Sequence, residues 1–407
     1  MKILLSAYAC EPNKGSEPGV GWNWALEIAN RGHEVIVITR NNNRNAIEDF
    51  KNRPKTLTFI YYDLPKRLIW LKKLFGIHAY YLLWQIGIYF KVKRELNIIN
   101  PDIIHHITFV AIRKLSFLAL LGKPFYYGPL GGGESCPKEL LRHVKIKDRS
   151  KEVLRNITNG IVRYNLFSFI IFSKSKRIFT TTDESKFYIN KRFHKKTFSF
   201  PAIGVVDLKI DYSKQNNKKI HFLYVGNFIY WKGLQIALEA LSILNKSGID
   251  FAFTIVGKGD FDKELKKLAS TINIDKKINW INWLPQKELA ALYESHDIFL
   301  FPSLHDSGGM VVLEAISHGL PVVCLDLGGP GHFVTNSIGY KIDVSKKKYE
   351  TVVSDFAQAL LAMNENRELL KQKSETALKK TKDYSWSNTI EKVYSLIEND
   401  FQMKNNK

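Results

Sequence analysis

The chain has 407 residues, which is enough for two ordinary domains with separate cores. Hydrophobic residues make up 45% and aromatic residues 13% of the sequence, which indicates a globular protein and excludes a disordered one. Its 60 Lys and Arg against 39 Asp and Glu give a net charge of +21, and this excess predicts attraction to nucleic acid, anionic lipid or phosphorylated small molecules.

Cys10, Cys136 and Cys324 lie far apart and are odd in number, so we predict neither a disulfide framework nor a cysteine metal site. The first apolar run is too short for a signal peptide, and the most apolar stretch, residues 74–90, falls short of the ~20 residues of a membrane span. We therefore expect a cytoplasmic protein, peripheral at the inner face of the cell membrane if its charge binds lipid.

Apolar runs typical of strands alternate with longer helical patterns, which predicts parallel α/β sheets. In the first half we predict one helix at 18–32, opened by Pro18, and strands at 2–8, 33–40, 57–64, 102–109, 123–130 and 177–182. The alternation restarts at Ile220. The second half has predicted strands at 220–226, 251–259, 278–284, 297–303 and 321–328, with helices at 231–248, 262–273, 285–296 and 311–319.

Two doubly wound, Rossmann-like halves account for this restart better than one long sheet. The boundary is predicted near residues 210–219, where periodicity is lost and polar residues accumulate. We predict an N-terminal domain at 1–210, a C-terminal domain at 211–385, and a helix or tail at 386–407 that packs back toward the N-terminal domain. Because ligands bind beyond the carboxyl ends of parallel strands, two such domains facing one another would enclose a central cleft.

Residues 301–331 concentrate the candidate chemistry. A predicted strand ends in a glycine-bearing loop, and a helix begins near Met310. Free amides and the positive end of a helix dipole suit a diphosphate. Asp306 and Glu314 flank the loop with seven residues between them, and carboxylates accept hydrogen bonds from sugar hydroxyls. The alternative is that Gly308 and Gly309 form a plain turn and that both acids are solvated or capping.

This segment resembles the donor-site signature of glycosyltransferase family 4, retaining enzymes of the GT-B fold with the pattern PS…E-G-F-G…LEA…G-PVV. Asp306 stands where the first Glu usually lies, and Ser307-Gly308 replaces Gly-Phe. The resemblance implies that Glu314 binds the donor ribose and that Asp306 lies beside the transferred sugar. Further donor contacts are implied for Ser307, Gly308, Gly309, Met310 and Val311. The matching residues are Pro302, Ser303, Gly309, Leu313, Glu314, Ala315, Gly319, Pro321 and Val322.

Residues 224–233 resemble the family's V-G-R-x-x-x-x-K-G segment, whose Arg and Lys neutralise the donor diphosphate. Lys232 is in place, whereas the Arg position holds Asn227, which supplies no charge. Alone, Lys232 would read as a solvated side chain at a helix start. The resemblance also implies that Gly257 borders the nucleotide base and that Leu284 lies against it.

In the first half, Gly19 and Gly21 resemble the family's glycine-rich first loop, which implies backbone approach to the donor phosphate or the acceptor. Helix-start packing is the equal alternative. His105 and His106 lie near a strand end where many relatives have a cleft histidine. Because successive strand residues point to opposite faces, only one of them can face a cleft, and we favour His106.

A second glycine-rich loop follows the predicted strand at 123–130, and it lacks the Gly-Lys-Ser/Thr of a P-loop. We expect Gly132 and Glu134 of this loop, together with His105, to lie on the acceptor side in the N-terminal domain.

Retention of configuration implies front-face displacement, in which the leaving phosphate itself can accept the acceptor's proton. Protein residues then position the substrates and stabilise charge on the diphosphate, and we assign His106, Lys232 and Asp306 as the catalytic candidates. Neither a DxD-type motif nor a His/Cys cluster is predicted beside the loop. We expect no cofactor and no metal.

The implied co-substrate is a UDP- or GDP-sugar, and the implied acceptor is a glycan of cell-surface polysaccharide, lipopolysaccharide, capsule or glycolipid biosynthesis. Basic stretches at 66–95 and 142–177, the first interleaved with Trp70, Phe75, Tyr80, Tyr81, Trp84, Tyr89 and Phe90, favour an anionic membrane surface and a lipid-linked acceptor. Solvated helix faces are the alternative.

Two other functions compete with this one. They are a GT-B-type nucleotide-sugar epimerase, and a catalytically impaired glycan- or nucleotide-binding subunit, which the departures at Asn227 and Asp306 would suit. Nucleic-acid binding is not predicted, because neither a zinc-finger nor an RNP-type motif appears.

Overall fold

The structure is a computed structural model that describes residues 1–65, 70–109, 111–142, 144–206 and 219–405, with the side chains at 70–75, 404 and 405 outside the description. Of the predicted domain boundary at 210–219, positions 210–218 lie outside the described residues.

The strands are short, and eleven of the thirteen described ones match predicted strands, whereas β7 and β13 were not predicted. They are β1 (Lys2–Ala7), β2 (Glu34–Thr39), β3 (Leu57–Tyr61), β4 (Ile103–Thr108), β5 (Phe125–Leu130), β6 (Ser175–Thr180), β7 (Thr197–Ser199), β8 (Ile220–Val225), β9 (Phe251–Val256), β10 (Ile278–Ile281), β11 (Ile298–Phe301), β12 (Val322–Leu325) and β13 (Gly339–Ile342).

Helices connect these strands and close the chain. They are α1 (Ser16–Asn30), α2 (Arg44–Glu48), α3 (Trp70–Ile99, interrupted at Gly76), α4 (Ile146–Val162), α5 (Leu166–Lys174), α6 (Asp183–Phe187), α7 (Leu234–Lys246), α8 (Asp262–Thr271), α9 (Gln286–Ser295), α10 (Met310–Ser317), α11 (Gly328–Phe333), α12 (Tyr349–Glu365), α13 (Arg367–Lys380) and α14 (Trp386–Asn405).

Within the described residues the strands form two parallel sheets. The first has seven strands in the order β3-β2-β1-β4-β5-β6-β7, and the second has six in the order β10-β9-β8-β11-β12-β13. Each sheet reverses its winding direction once, between β1 and β4 and between β8 and β11. Carboxyl ends of strands at such switch points are the usual ligand sites of doubly wound sheets. The prediction of two α/β halves is confirmed.

The chain divides into two compact units. Unit 1 comprises Met1–Gly133, Arg155–Ile203 and Trp386–Lys407, and unit 2 comprises Glu134–Leu154 and Gly204–Ser385. The segment Glu134–Leu154, which the sequence analysis assigns to the N-terminal domain, therefore belongs to unit 2.

Unit 1 is held by a core between its sheet and its flanking helices. The central strands β1, β4 and β5 are almost wholly buried because helices cover both faces, which explains their continuous apolar sequences. The Trp24 indole N–H of α1 donates to the Ala202 carbonyl oxygen at 2.8 Å. From α14, Asp400 receives two hydrogen bonds from Arg177 of β6, at 2.6 and 2.7 Å.

Three aromatic side chains of α3 belong to this core. Tyr80, Tyr81 and Trp84 are buried against Tyr8 and its neighbours, although the sequence analysis placed them on a membrane-binding face. That expectation is wrong for these three residues, because an aromatic stripe at helical spacing is equally the pattern of a core-facing helix. Residues 66–69 of the same stretch lie outside the described residues. Among the described residues, no helix is both long enough and apolar enough to cross a bilayer.

Candidate active site

The candidate residues of unit 2 lie in the loops after β8 and β11, which are neighbouring strands at the switch point of the second sheet. Two hydrogen bonds tie these loops together. The Leu304 amide donates to the Trp231 carbonyl oxygen at 2.7 Å, and the Ser303 hydroxyl donates to the same oxygen at 3.1 Å. Lys232 is the next residue after Trp231, so this pairing brings its side chain to the β11 loop.

Gly233 allows the two loops to approach this closely. Its φ is +69°, in the left-handed region that favours glycine. A Cβ atom built on Gly233 would lie 1.8 Å from the Pro302 carbonyl oxygen, so no other residue fits without displacing one of the loops. In the Lys-Gly pair, Lys232 therefore supplies the charge and Gly233 allows the close packing of the two loops.

Lys232 and Asp306 form an ion pair in which the ammonium donates to the carboxylate Oδ2. The other oxygen of Asp306 accepts hydrogen bonds from the Gly308 and Gly309 amides, each at 3.1 Å. Burial alone would raise the pKa of Asp306, but the Lys232 charge and these hydrogen bonds outweigh it and hold the pKa below its ordinary value. The Gly308 and Gly309 amides, expected to be free for an anion, are therefore occupied by the protein's own carboxylate.

The next two amides are differently placed. Gly309, with φ +74°, precedes α10, and among the described residues no protein acceptor is found for the Met310 and Val311 amides at its first turn. Both residues are half-buried. Because these N–H groups lie at the positive end of the helix, an anion can bind there beside Lys232.

Glu314 lies one turn into α10 and is largely withdrawn from solvent. Tyr293 of α9 donates a hydrogen bond to its Oε2 at 3.0 Å. Burial raises the pKa of Glu314, while hydrogen bonds from the Tyr293 and Gln286 side chains act in the opposite direction by stabilising the carboxylate. The sequence gives no sign that Tyr293 and Gln286 are the side chains that orient this acid.

The second glycine-rich turn packs directly on the first. The Gly329 amide donates to the Asp306 carbonyl oxygen at 2.8 Å, and a Cβ atom on Gly328 or Gly329 would meet the backbone of Asp306 or Gly308 within 2.4 Å. These glycines at the start of α11 thus hold the Asp306 loop by close backbone contact.

The remaining candidates of this unit lie at neighbouring strand ends. Asn227 is exposed just after β8. Gly257 follows β9, and a Cβ atom built on it would lie 1.9 Å from the Gly226 carbonyl oxygen. Leu284 is half-exposed after β10, beside the exposed Trp283.

Glu134 also lies in unit 2, and not in the N-terminal domain to which the sequence analysis assigns it. It is buried in unit 2, and its Oε2 accepts a hydrogen bond from the Ser307 hydroxyl at 2.5 Å. Gly132, the other residue expected on that side, remains in unit 1, where its carbonyl oxygen accepts a hydrogen bond from Asn159 at 3.0 Å.

A cluster of Cys136, Glu152 and His305 lies against the same loop, with potential ligand atoms within 4.8 Å of one another. The expectation of no His/Cys cluster beside the loop is wrong. Its members are far apart in sequence, so spacing could not reveal them.

In unit 1, His105 and His106 are both fully buried. His105 contacts the Gly128 carbonyl oxygen at 2.8 Å and the Tyr394 hydroxyl at 3.2 Å, whereas His106 contacts Ser6 Oγ at 2.8 Å and Tyr81 Oη at 2.9 Å. Burial lowers their pKa values to about 4 and about 3. The expectation that His106 faces a cleft is wrong, because helices cover both faces of β4 and each ring is satisfied in the core.

Gly19 and Gly21 also have a structural explanation. Cβ atoms built on them would lie 1.9 Å from the Lys14 carbonyl oxygen and 2.0 Å from that of Ala9. Both residues are buried in α1, so the glycines permit the helix to pack against the loop that follows β1.

The carboxyl end of β4 carries a pair that the sequence analysis missed. Burial raises the pKa of Glu17, an effect that the Lys114 charge and the Phe109 amide oppose, and burial lowers the pKa of Lys114 to about 8. Phe109 has φ +56°, and the Lys114 ammonium lies 3.1 Å from its ring centroid. Such strain at a strand end often marks a ligand site.

Part of the chain is similar to known glycosyltransferases. Residues 207–380, less than half of the chain, match the family of glycosyl transferases group 1. An uncharacterized glycosyltransferase of Haemophilus influenzae is 27% identical over 251 residues, covering 60% of this chain and 67% of that protein. Seven further curated proteins, all glycosyl- or glucosyltransferases by name, align over 27–47% of their own length.

Solved structures extend the likeness to both units. The lipopolysaccharide outer core galactosyltransferase WaaB in its apo form has a TM-score of 0.64 at 14% identity, covering 98% of this chain and 100% of that one. HepE of Anabaena in complex with UDP has a TM-score of 0.63 at 13% identity, with the same coverage. This chain is a glycosyltransferase with the GT-B fold. The predicted fold and enzyme class of this glycosyltransferase are confirmed. The match to glycosyl transferases group 1 lies in unit 2, which contains Lys232, Asp306 and Glu314.

Proposed function

We propose that this glycosyltransferase is a retaining, family 4 enzyme that moves a sugar from a UDP- or GDP-sugar to a glycan acceptor. The proposal is carried by one observation, the meeting of Lys232, the open amides of Met310 and Val311, and Glu314 at two adjacent strand ends. HepE was solved with UDP, which favours a uridine diphosphate donor.

The donor diphosphate would bind the Met310 and Val311 amides, with Lys232 shared between it and Asp306. Glu314 would accept hydrogen bonds from the ribose hydroxyls. In front-face displacement the acceptor oxygen attacks the anomeric carbon on the side from which the diphosphate leaves. As the carbon–phosphate oxygen bond breaks, the acceptor's proton passes to the leaving phosphate, so the protein's contribution is positioning and charge stabilisation. This route needs no metal for catalysis.

The name of WaaB supports a place in lipopolysaccharide or related cell-surface polysaccharide synthesis. A lipid-linked acceptor at the cytoplasmic face of the membrane is supported by α4, which keeps apolar side chains in solvent among its basic residues. The exposed apolar residues are Ile146, Val153, Leu154, Ile157 and Ile161. Such a helix suits the headgroup region of an anionic bilayer.

Thermal stabilisation by a panel of UDP-, GDP- and ADP-sugars tests the donor site. A true donor at 100 times its Kd should stabilise the fold by about 2.7 kcal/mol. Glu314→Gln keeps a partner for Tyr293 but loses the charge, so the stabilisation should fall by about 1.5–3 kcal/mol, or disappear. Glu365→Gln, at the exposed end of α12, is the matched control. Unchanged stabilisation and transfer in Glu314→Gln would refute the site.

The stereochemistry of transfer tests retention separately. The anomeric proton of the first product, followed by NMR, should keep the donor's configuration. Inversion would contradict front-face displacement while leaving the donor site intact.

Vesicle flotation tests the membrane surface. The chain should float with anionic vesicles, less so at high salt, and the double variant L154D/I157D should not float. Ile98→Asp, at an even more exposed apolar residue of α3, is the control and should float like the unaltered protein. No salt-sensitive flotation would leave α4 as a solvated helix face.

A further inference from the structure

Three side chains of metal-ligand type converge in unit 2, next to the proposed donor loop but outside the donor contacts. Cys136 lies in the loop after β5, Glu152 in α4, and His305 immediately before Asp306. One ligand atom from each lies within 4.8 Å of the other two. Cys136 and Glu152 are 4% and 5% exposed, and His305 is partly buried.

We propose that Cys136, Glu152 and His305 form a Zn²⁺ site, with water as the fourth ligand, that fixes the donor loop to the segment Glu134–Leu154. This is a metal-binding activity beyond sugar transfer, and it assigns the ion no step in catalysis.

The spacing of two of these ligands agrees with a tetrahedral ion. His305 Nε2 lies 3.2 Å from Glu152 Oε1. Zinc binds imidazole nitrogen and carboxylate oxygen at about 2.0 Å, so two such ligands at the tetrahedral angle are about 3.3 Å apart. Entry of an ion between them would replace this contact and needs little movement of either side chain.

Neighbouring aromatic residues hold the ligands in place. Tyr230 Oη donates to Glu152 Oε1 at 2.6 Å, and the Trp231 ring stacks on the His305 ring with centroids 5.4 Å apart and planes 13° apart. Contacts of this kind orient metal ligands and reduce the entropy lost on binding. Both aromatic residues belong to the loop that carries Lys232.

Charge and ligand softness select the ion. A thiolate and a carboxylate carry two negative charges, which one divalent cation neutralises, so the buried complex has no net charge. Sulfur and nitrogen ligands favour Zn²⁺ over Mg²⁺ and Ca²⁺, which prefer oxygen. Binding exchanges the thiol proton of Cys136 for the metal and releases that proton to solvent, so the affinity should rise with pH.

Titration of the purified full chain with Co²⁺, a spectroscopic substitute for Zn²⁺, tests the proposal. We expect one equivalent to bind and to produce a thiolate-to-cobalt charge-transfer band in the near ultraviolet, which added Zn²⁺ abolishes. C136S and H305Q should lose the band. C10S, which removes a buried cysteine of unit 1, should keep it.

Each outcome decides the question. The absence of the band in the folded unaltered chain overturns the site without reference to any variant, as does a band that persists in C136S or disappears in C10S. Circular dichroism verifies that each variant is folded. If C136S does not fold, the conservative variant E152Q replaces it, and the unaltered chain should gain thermal stability from Zn²⁺ that E152Q lacks. The assay uses no nucleotide, so its failure is distinguishable from failure of the donor site.

Discussion

Lys232 combines two electrostatic tasks. It compensates the partly buried Asp306 carboxylate, whose pKa stays low partly for that reason, and it is the motif cation proposed to bind the diphosphate. A charge shared in this way is placed before the donor arrives, so little reorganisation is needed when negative charge grows on the leaving group.

We therefore expect Lys232→Ala to lower kcat for sugar transfer by roughly 10²–10³-fold, the range seen when one preorganised charge-stabilising donor is removed. The measurement is steady-state transfer with the donor identified by thermal stabilisation. Lys246→Ala, at the exposed end of α7, provides the comparison and should change kcat less than about twofold. A Lys232→Ala enzyme with ordinary kcat would remove Lys232 from the charge-stabilising role.

The low pKa values of the buried His105 and His106 predict that the stability of unit 1 falls in acid. Their folded pKa values, about 4 and about 3, lie below the unfolded value of about 6.5. Between these values the unfolded chain binds more protons than the folded one, so stability is fully present above pH 6.5 and falls as the pH is lowered.

His106→Gln should flatten this fall, because glutamine supplies hydrogen bonds to Ser6 and Tyr81 without titrating. Urea unfolding midpoints between pH 7 and pH 4.5 measure the effect. His332→Gln, at an exposed position, should leave the slope unchanged. An identical pH slope in His106→Gln and the unaltered chain would contradict the buried, neutral state of the ring.

At the scale of elements, the site depends on the contact between the loop after β8 and the loop after β11. Gly233 lies at the centre of this contact. Gly248, after α7, has a similar φ of +78° but no atom of the described residues within 4 Å of a built Cβ. Substitutions at the two glycines therefore distinguish the cost of backbone strain, present at both, from the cost of steric overlap, present only at Gly233.

Gly248→Ala should destabilise the fold by about 1–2 kcal/mol, the strain of a left-handed alanine. Gly233→Ala adds the clash with Pro302 and should cost about 1–3 kcal/mol more, with weaker donor binding because Lys232 is displaced. Denaturant unfolding and nucleotide thermal shifts measure the two effects. Equal destabilisation by both variants would show that the loops do not need this approach.

Eleven of the thirteen described strands could be predicted from sequence, because a parallel strand covered on both faces is a continuous apolar run, whereas β7 and β13 were missed. That same coverage defeated the prediction for His106. Alternation along β4 does send His105 and His106 to opposite faces, but both faces are buried, and local sequence does not reveal what covers a strand.

The residues that complete the candidate site carried even less signal. Glu134 reaches Ser307 across 173 positions, and Glu152 reaches His305 across 153 positions. The self-capping of Asp306 was also unforeseen, because the motif indicates an anion site and does not tell whether a ligand or a neighbouring carboxylate fills it.

At the scale of the whole chain, α14 returns the last residues to the first unit. Asp400 is almost fully buried and receives two hydrogen bonds from Arg177, while Tyr394 contacts His105. Removal of one member of a buried pair leaves the other charge uncompensated.

We expect Asp400→Ala to destabilise unit 1 by about 3–5 kcal/mol. A calorimetric scan should show the transition of unit 1 shifted down while that of unit 2 stays in place. Asp49→Asn, at an exposed position of the same unit, should leave both transitions unchanged. A single transition that moves as one would mean that the units do not unfold separately.

The assembly of unit 1 from separate chain segments also sets a timetable for biosynthesis. His105 leaves the ribosome 289 residues before its partner Tyr394. At about 5–20 residues per second, β4 waits roughly 15–60 s for the helix that completes its surroundings. All of unit 2 is synthesised within that interval, so unit 2 can fold before unit 1 receives α14.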